Sequence, residues 1–337
     1  MLIVRPAHLD DFPAVMELAS RAGPGFTSLA LGEEALRERV ELSVASFGAA
    51  VTAPGAEIYL LLLEDPATRR VAGISAVKAQ VGVKVPFFSY RRTTLAQCSA
   101  AAGRRFDLDA LYPVNEVAGS TEVGTLFVLP EARGAGAGRL AAKARYLLLA
   151  TAPERFGERV IAELRGVVDE QGRSPFWEAL GRPFFRMEFE EADRLSTMDN
   201  QFISDLLPTH PVYLDLLPEA ARAVVGVAHP EGQAARRLLE EEGFRHRGLV
   251  DVFDAGPLYT ARRERIATVR KSRLATVRVE EPGEGAVVAL IATERLPDFR
   301  AAIARVTVDD ETVSLGDEVA RALGLGSGDR ARIRVAP

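Results

Sequence analysis

Residues 122–138 read EVGTLFVLPEARGAGAG. The first eight are apolar, β-branched or aromatic enough to be a buried strand. The helix predicted at 139–152, with Pro153 as its stop, follows directly. Between them, glycines at 134, 136 and 138 remove side chains where backbone N–H groups must approach an anion, and the helix aims its positive end at the same place. Arg133 adds a permanent charge, and Arg139 and Lys143 lie one or two turns into the helix, where they can face a phosphate. Strand, loop and helix together predict a pyrophosphate cradle with Arg133, Gly134, Gly136 and Gly138 as its binding residues.

A dinucleotide-binding fingerprint would carry an acidic residue about 20 positions after its glycines, and a phosphate-binding P-loop would end in Lys-Ser/Thr; neither pattern is present. Upstream, residues 2–5 read as a short strand, 12–19 and 33–47 as helices, and 57–64 with 71–81 as a hairpin turned by Asp65-Pro66-Ala67-Thr68-Arg69-Arg70. Residues 82–120 are irregular. Downstream, 159–168 reads as a strand, and 174–181 as a short helix with a Ser cap, Pro in its first turn and a terminal Gly. Then come a strand at 224–228, a His229-Pro230 turn and a helix at 233–242. From Lys271 onward the texture is short strands and turns around a helix-like 315–323.

With 337 residues the chain is long for one domain, and the 42 Lys and Arg against 47 Asp and Glu argue against a partner made of nucleic acid phosphates. Cys98 is the only cysteine, so an internal disulfide is excluded and a reducing, cytoplasmic setting fits. The start of the chain has no long apolar segment and no stretch approaches a bilayer span, so neither secretion nor membrane insertion is expected. No His, Cys and carboxylate group has ligand spacing, and no metal is expected.

The opening IVRPAHLDDFPAVMEL and the RGAGAG segment, set after about four strands, resemble the GNAT-type superfamily of acyl-CoA N-acyltransferases. The stretches GSTEVGTLFVLPEARGAGAG, VIAELRGVVDEQGRSPFWEALGRPFF, HPVY, VVGVAHPEGQAARRLLEEEGF, DVFDAGP and RKSRLATV look like the arginine N-succinyltransferases, over most of residues 1–280. This resemblance implies an α+β fold: a GNAT-like, mixed but mostly antiparallel sheet flanked by helices, with a C-terminal β-rich appendage. With the change of texture after Lys271, three parts are expected: a GNAT-like acyl-CoA-binding domain at 1–185, a helical segment with a second strand-turn-helix unit at 186–271, and the appendage at 272–337. It also implies transfer of succinyl from succinyl-CoA to the α-amine of L-arginine, in arginine catabolism, by chains that form homo-oligomers or pair with a related subunit. The family's acyl-CoA contact falls on Leu126, beside Phe127, and its proton donor on His229.

Amide formation needs a neutral amine, a positioned thioester, donors for the oxyanion and a proton for the leaving thiolate. Backbone N–H groups at 126–128 suit the oxyanion. Where many GNAT enzymes place a Tyr on the late short helix, Phe176-Trp177 offers no hydroxyl, and the donor that the resemblance implies is His229, which by sequence alone reads as a surface turn residue; His8, His210 and His246 read as surface or packing residues. The succinyl carboxylate calls for a cation, Arg91 or Arg165, and the guanidinium of arginine for a carboxylate, Glu122, Glu163 or Asp169. Phe176 and Trp177 read as core. The alternatives are another GNAT-type acyltransferase, acting on ornithine or a different amine, and a non-catalytic coenzyme A-binding partner subunit.

Overall fold

The computed structural model describes residues 1–23, 26, 28–134, 136–196 and 201–335. In chain order the strands are β1 (Ile3–Pro6), β2 (Ile58–Asp65), β3 (Arg70–Lys78), β4 (Ser89–Ser99), β5 (Arg104–Val114), β6 (Thr121–Val128), β7 (Arg159–Glu163), β8 (Val212–Tyr213), β9 (Arg245–Val250), β10 (Pro257–Arg262), β11 (Arg273–Val279), β12 (Val287–Thr293), β13 (Ala301–Val308), β14 (Thr312–Leu315) and β15 (Arg330–Val335). The helices are α1 (Phe12–Ala22), α2 (Glu33–Gly48), α3 (Ala137–Thr151), α4 (Arg182–Phe185), α5 (Phe189–Ser196), α6 (Gln201–Leu206), α7 (Glu219–Val224), α8 (Gln233–Glu241), α9 (Ala267–Lys271) and α10 (Asp317–Leu323).

Residues 1–80, 121–158 and 262–337 make one compact unit. Its strands run β12-β15-β11-β14-β13-β1-β2-β3-β6. Leu60 and Leu62 of β2, Ile74 and Ala76 of β3 and Phe127 of β6 point to one face, where Val15 and Leu18 of α1 and Leu36 and Val40 of α2 bury them. Small residues on α3, Ala141, Ala142 and Ala144, are all buried and let its backbone come close enough for Ser75 Oγ to donate to Ala141 O at 3.2 Å.

The C-terminal residues are β-rich, as read, but they are no loose appendage. β12 also pairs with β13, so β12, β15, β11, β14 and β13 close into a five-stranded barrel around Ala275, Val277, Ile291, Val306, Val313 and Ile333. The sheet, expected to be mixed and mostly antiparallel, thus ends in a closed ring, and one pair in it, β11–β14, is parallel. Strand β13 spans two partners' worth of edge: Ala301 and Ala302 also sit opposite Val4 and Ile3 of β1. That pairing makes the barrel part of the first unit.

Residues 81–120 and 159–261 make the second unit, with strands in the order β7-β10-β9-β4-β5-β8. The segment read as irregular is the β4–β5 hairpin, registered along the full 11-residue length of both strands. Tyr90 and Arg91 at its base pair with Val250 and Leu249 of β9. This pairing cuts across a division at residue 185: the hairpin belongs in one unit with residues 159–261, which span the expected boundary.

Trp177 and Phe176 are fully buried, as expected, with Trp177 5.1 Å from Phe185 and 5.5 Å from Phe253, centroid to centroid, and its indole N–H on Met187 O at 3.1 Å. Ser174 caps this turn by accepting from Trp177 N at 3.2 Å. Gly181, however, does not end the helix, which continues into α4; a Cβ there would lie 2.1 Å from the Trp177 ring. The run read as a strand at 224–228 is the end of α7 followed by a single bridge between Ala228 and Gly166. A short apolar run carries no period that separates the two structures.

Candidate active site

The strand before the glycine loop does not run straight. Ile74 pairs with Phe127 and Ala76 with Gly124, so Ser75 alone faces both Thr125 and Leu126, a β-bulge. Thr125 has φ 51°, a left-handed conformation that a β-branched residue adopts only under constraint from its surroundings. Part of that constraint is Arg145, buried on α3, whose guanidinium donates to Gly124 O at 3.2 Å. Gly124, Thr125 and Leu126 are consequently half-exposed in mid-strand, with ladder groups turned away from β3.

Eight residues beyond Leu126, the chain turns through Gly134 at φ 113° and Gly136 at φ 85°, both requiring glycine, and enters α3. Gly136 is the left-handed N-cap, and Leu140 N closes the first turn on its carbonyl at 2.8 Å. Gly138 is helical, and a Cβ built there meets nothing within 4 Å, so helix geometry does not account for that glycine while an approaching ligand would. Arg133 is exposed at the rim and donates through Nε to Val128 O at 3.1 Å, tying the loop to the end of β6. Ala135 lies outside the described residues. Arg139 is exposed, whereas Lys143 is buried and so faces no surface phosphate. The side chain of Phe127 is 4% exposed and packs edge-on to Phe26, which leaves only its backbone for the site.

In the second unit His229 begins a one-turn helix, residues 230–232. Its backbone N–H donates to Arg165 O at 2.8 Å, and its Nδ1 accepts from Glu231 N at 3.3 Å. Because an amide N–H can only donate, Nδ1 holds a lone pair and the neutral ring carries its proton on Nε2. The side chain is 18% exposed. A web beneath fixes this turn. Buried Asp254 accepts from Gly166 N at 2.6 Å through one oxygen and from Gly256 N at 2.7 Å through the other; Asp251 accepts from Phe253 N and Asp254 N. Burial, reinforced by Asp251, pushes the Asp254 carboxyl well above its ordinary value against the pull of the two amide donors.

A family model described as the arginine N-succinyltransferase beta subunit matches residues 2–268, and one described as the C-terminal domain of that subunit matches residues 273–334. The chain belongs to the arginine N-succinyltransferase family. The protein of that name from Citrobacter koseri is 40% identical over 336 residues, 99% of this chain and 97% of the relative, and that of Escherichia coli is 39% identical with the same coverage. The solved arginine/ornithine succinyltransferase subunit AI from Pseudomonas aeruginosa superposes with a TM-score of 0.89 at 35% identity, over 99% of this chain and 98% of that one. The first family model ends at residue 268 and the second begins at residue 273.

In this member of the family, Glu122, Asp169 and Arg91, read as substrate ligands, have these partners. Glu122 pairs with Lys78 at 2.8 Å. Asp169 accepts from the backbone of Arg173 and Gln171 and pairs with Arg173 Nε at 2.9 Å, so its charge closes a surface turn. Arg91 is bound to Glu116 and to Arg247 O. Arg165 is half-buried and lies in the field of Asp193, and Glu163 is exposed at the end of β7. Thr125, Arg145 and Asp254 are the residues that sequence reading missed; only the DAG turn at 254–256 carried a local signal. Among the described residues no group of three or more His, Cys, Asp and Glu is arranged to hold a metal ion, and no helix is long and apolar enough to cross a membrane.

Proposed function

We propose that this chain transfers the succinyl group of succinyl-CoA to the α-amine of L-arginine, releasing coenzyme A. The observation that carries the reading is kinship along the whole chain: 40% identity over 336 residues to a protein named for that reaction. The bulged strand, the glycine loop and the helix after it fit a GNAT-type acyl-CoA site, and the roles follow from them. Backbone N–H groups at Gly134, Gly136 and Gly138, with Arg133, take the pyrophosphate. The half-exposed bulge at residues 124–126, Leu126 included, pairs with the pantetheine arm and offers N–H groups to the oxyanion. His229 presents Nε2–H to the leaving thiolate. Arg165 is the cation we assign to the succinyl carboxylate and Glu163 the carboxylate for the guanidinium. A cytoplasmic setting fits the lone exposed thiol of Cys98, and pairing with a second copy or a related subunit fits relatives described as subunits.

The test is a steady-state assay of the purified chain with succinyl-CoA or acetyl-CoA against arginine and ornithine. Succinyl-CoA with arginine should give the highest kcat/KM, and His229→Ala should lower kcat by about 10² to 10⁴ while leaving the KM for succinyl-CoA within about threefold. Higher kcat/KM with acetyl-CoA, or tight coenzyme A binding without turnover, would replace this reading with another acyltransferase or with a non-catalytic subunit.

A further inference from the structure

His229 is poised to donate, and the reaction also needs an acceptor, because an amino acid arrives as an ammonium ion that cannot attack a thioester. The second unit contains a cavity of about 490 Å³, within the roughly 300–1,000 Å³ typical of small-molecule pockets. Its walls include Gly226 and Ala228, immediately before His229, with Arg236 and Glu240 of α8, Tyr259 of β10 and His246 of β9.

His246 is held there in the opposite tautomer to His229. Its Nδ1 lies 3.2 Å from Leu258 O, an atom that can only accept, so Nδ1 carries the proton and Nε2 keeps its lone pair. The ring leans on Tyr259 at 5.9 Å, centroid to centroid. Nε2 lies on the Gly226 side of the cavity, where a Cβ at that position would stand 3.2 Å from it and glycine, at φ 77°, places none. The groups that act on it are Arg91 and Arg92 from β4 and Arg236 from α8, with Arg245 and Arg247 beside it on its own strand. Glu240, the carboxylate lining the cavity, is occupied by Arg236 at 2.9 Å and by the Tyr259 hydroxyl at 3.1 Å.

We infer that His246 Nε2 accepts the proton of the substrate's α-ammonium in the succinyl transfer. This inference rests on the proposed function and adds a second catalytic residue to it. Of the three ammonium protons, one passes to His246 Nε2 and then to water, one stays on the new amide nitrogen and one replaces the proton that His229 gives to the coenzyme A sulfur; the C–N bond forms first, giving the oxyanion, and the C–S bond breaks as that intermediate collapses. Burial, and then the neighbouring guanidinia, hold the imidazole below its ordinary value of 6.5 against the opposing pull of Leu258 O, so it is a free base at neutral pH. The guanidinium of Arg245, which also lines the cavity, suits the α-carboxylate of the same substrate.

The experiment uses the full chain and measures kcat/KM for arginine from pH 5 to 9. Wild type should show an acid limb with its inflection below 6.5. His246→Gln should lower kcat/KM by about 10² to 10⁴ with that limb gone and the KM for succinyl-CoA unchanged, and free imidazole should restore turnover to His246→Ala. A Gln variant that works within about threefold of wild type, or one that is slow yet keeps the acid limb, overturns the inference. So does a wild-type profile with no acid limb, a result that needs no variant to fold. A wild type inactive with succinyl-CoA and arginine sinks the proposed function and this inference together; normal turnover with an indifferent His246→Gln sinks this inference alone.

Discussion

Between residues 121 and 138 the chain makes its candidate anion site from backbone: a bulge at Thr125, two left-handed glycines and the start of α3, all contiguous in sequence. Around His229 the same chain works the other way. There, Asp254 reaches amides at Gly166 and Gly256, Arg165 O takes the His229 amide, and Leu258 O orients His246, so each position depends on a partner 12 to 88 residues distant, apart from the adjoining 254–256 turn. A site built from local backbone tolerates change in its surroundings and fails when a glycine is lost. A site built from long-range hydrogen bonds fails when the packing beneath it shifts.

The largest effect should come from the web. A Cβ at Gly256 would lie 2.2 Å from Leu164 O and 2.6 Å from Gly166 N, and both neighbours are backbone that cannot swing aside. Gly256→Ala should therefore cost about 3 kcal/mol or more of stability, read as a lower urea midpoint, and should lower turnover with it. A variant with wild-type midpoint and activity would mean that the close approach of these segments does not hold the His229 turn.

Gly138→Ala is the complementary probe of the backbone-made site. The added methyl meets open space, and alanine favours a helix over glycine by up to about 1 kcal/mol, so the melting temperature should hold or rise. If the coenzyme A pyrophosphate comes to that position, the KM for succinyl-CoA rises about tenfold, roughly 1.4 kcal/mol of binding, with kcat nearly unchanged. An unchanged KM would confine the cradle to Gly134 and Gly136.

The same contrast explains what could be read from sequence. Strand β6, the glycines and α3 declare themselves within the consecutive residues 121–151, because apolar run, left-handed turn and helix are local properties. The resemblance to a family carried the roles of Leu126 and His229. The β4–β5 hairpin stayed hidden because Arg91, Arg92, Thr94, Arg104, Arg105 and Asp107 break its apolar alternation; pairing between the strands, with few buried side chains, holds its outer part. The left-handed Thr125 has no signature, since threonine is an ordinary strand residue and only Arg145 and the register with β3 force the bulge. His246 read as packing for a similar reason: the carbonyl that sets its tautomer lies on the next strand. Glu122, Asp169 and Arg91 show the converse, charges whose partners, from 4 to 156 residues away, are invisible in a motif.

Asp193 separates the charge of the web from its geometry. Burial, helped by Asp251 and opposed by Arg165, lifts the Asp193 carboxyl to about 7 from an ordinary 3.8. A carboxyl raised on folding is favoured in its protonated form, so the stability it contributes is fully present below about pH 4 and is lost as pH climbs towards 7. Asp193→Asn keeps the shape and removes the titration. Urea unfolding at pH 4 and at pH 8 should therefore show the variant gaining on wild type at the higher pH and matching it at the lower. An equal difference at both would mean that Asp193 ionises normally in the fold, and that the acidic residues beside Arg165 are hydrated rather than crowded.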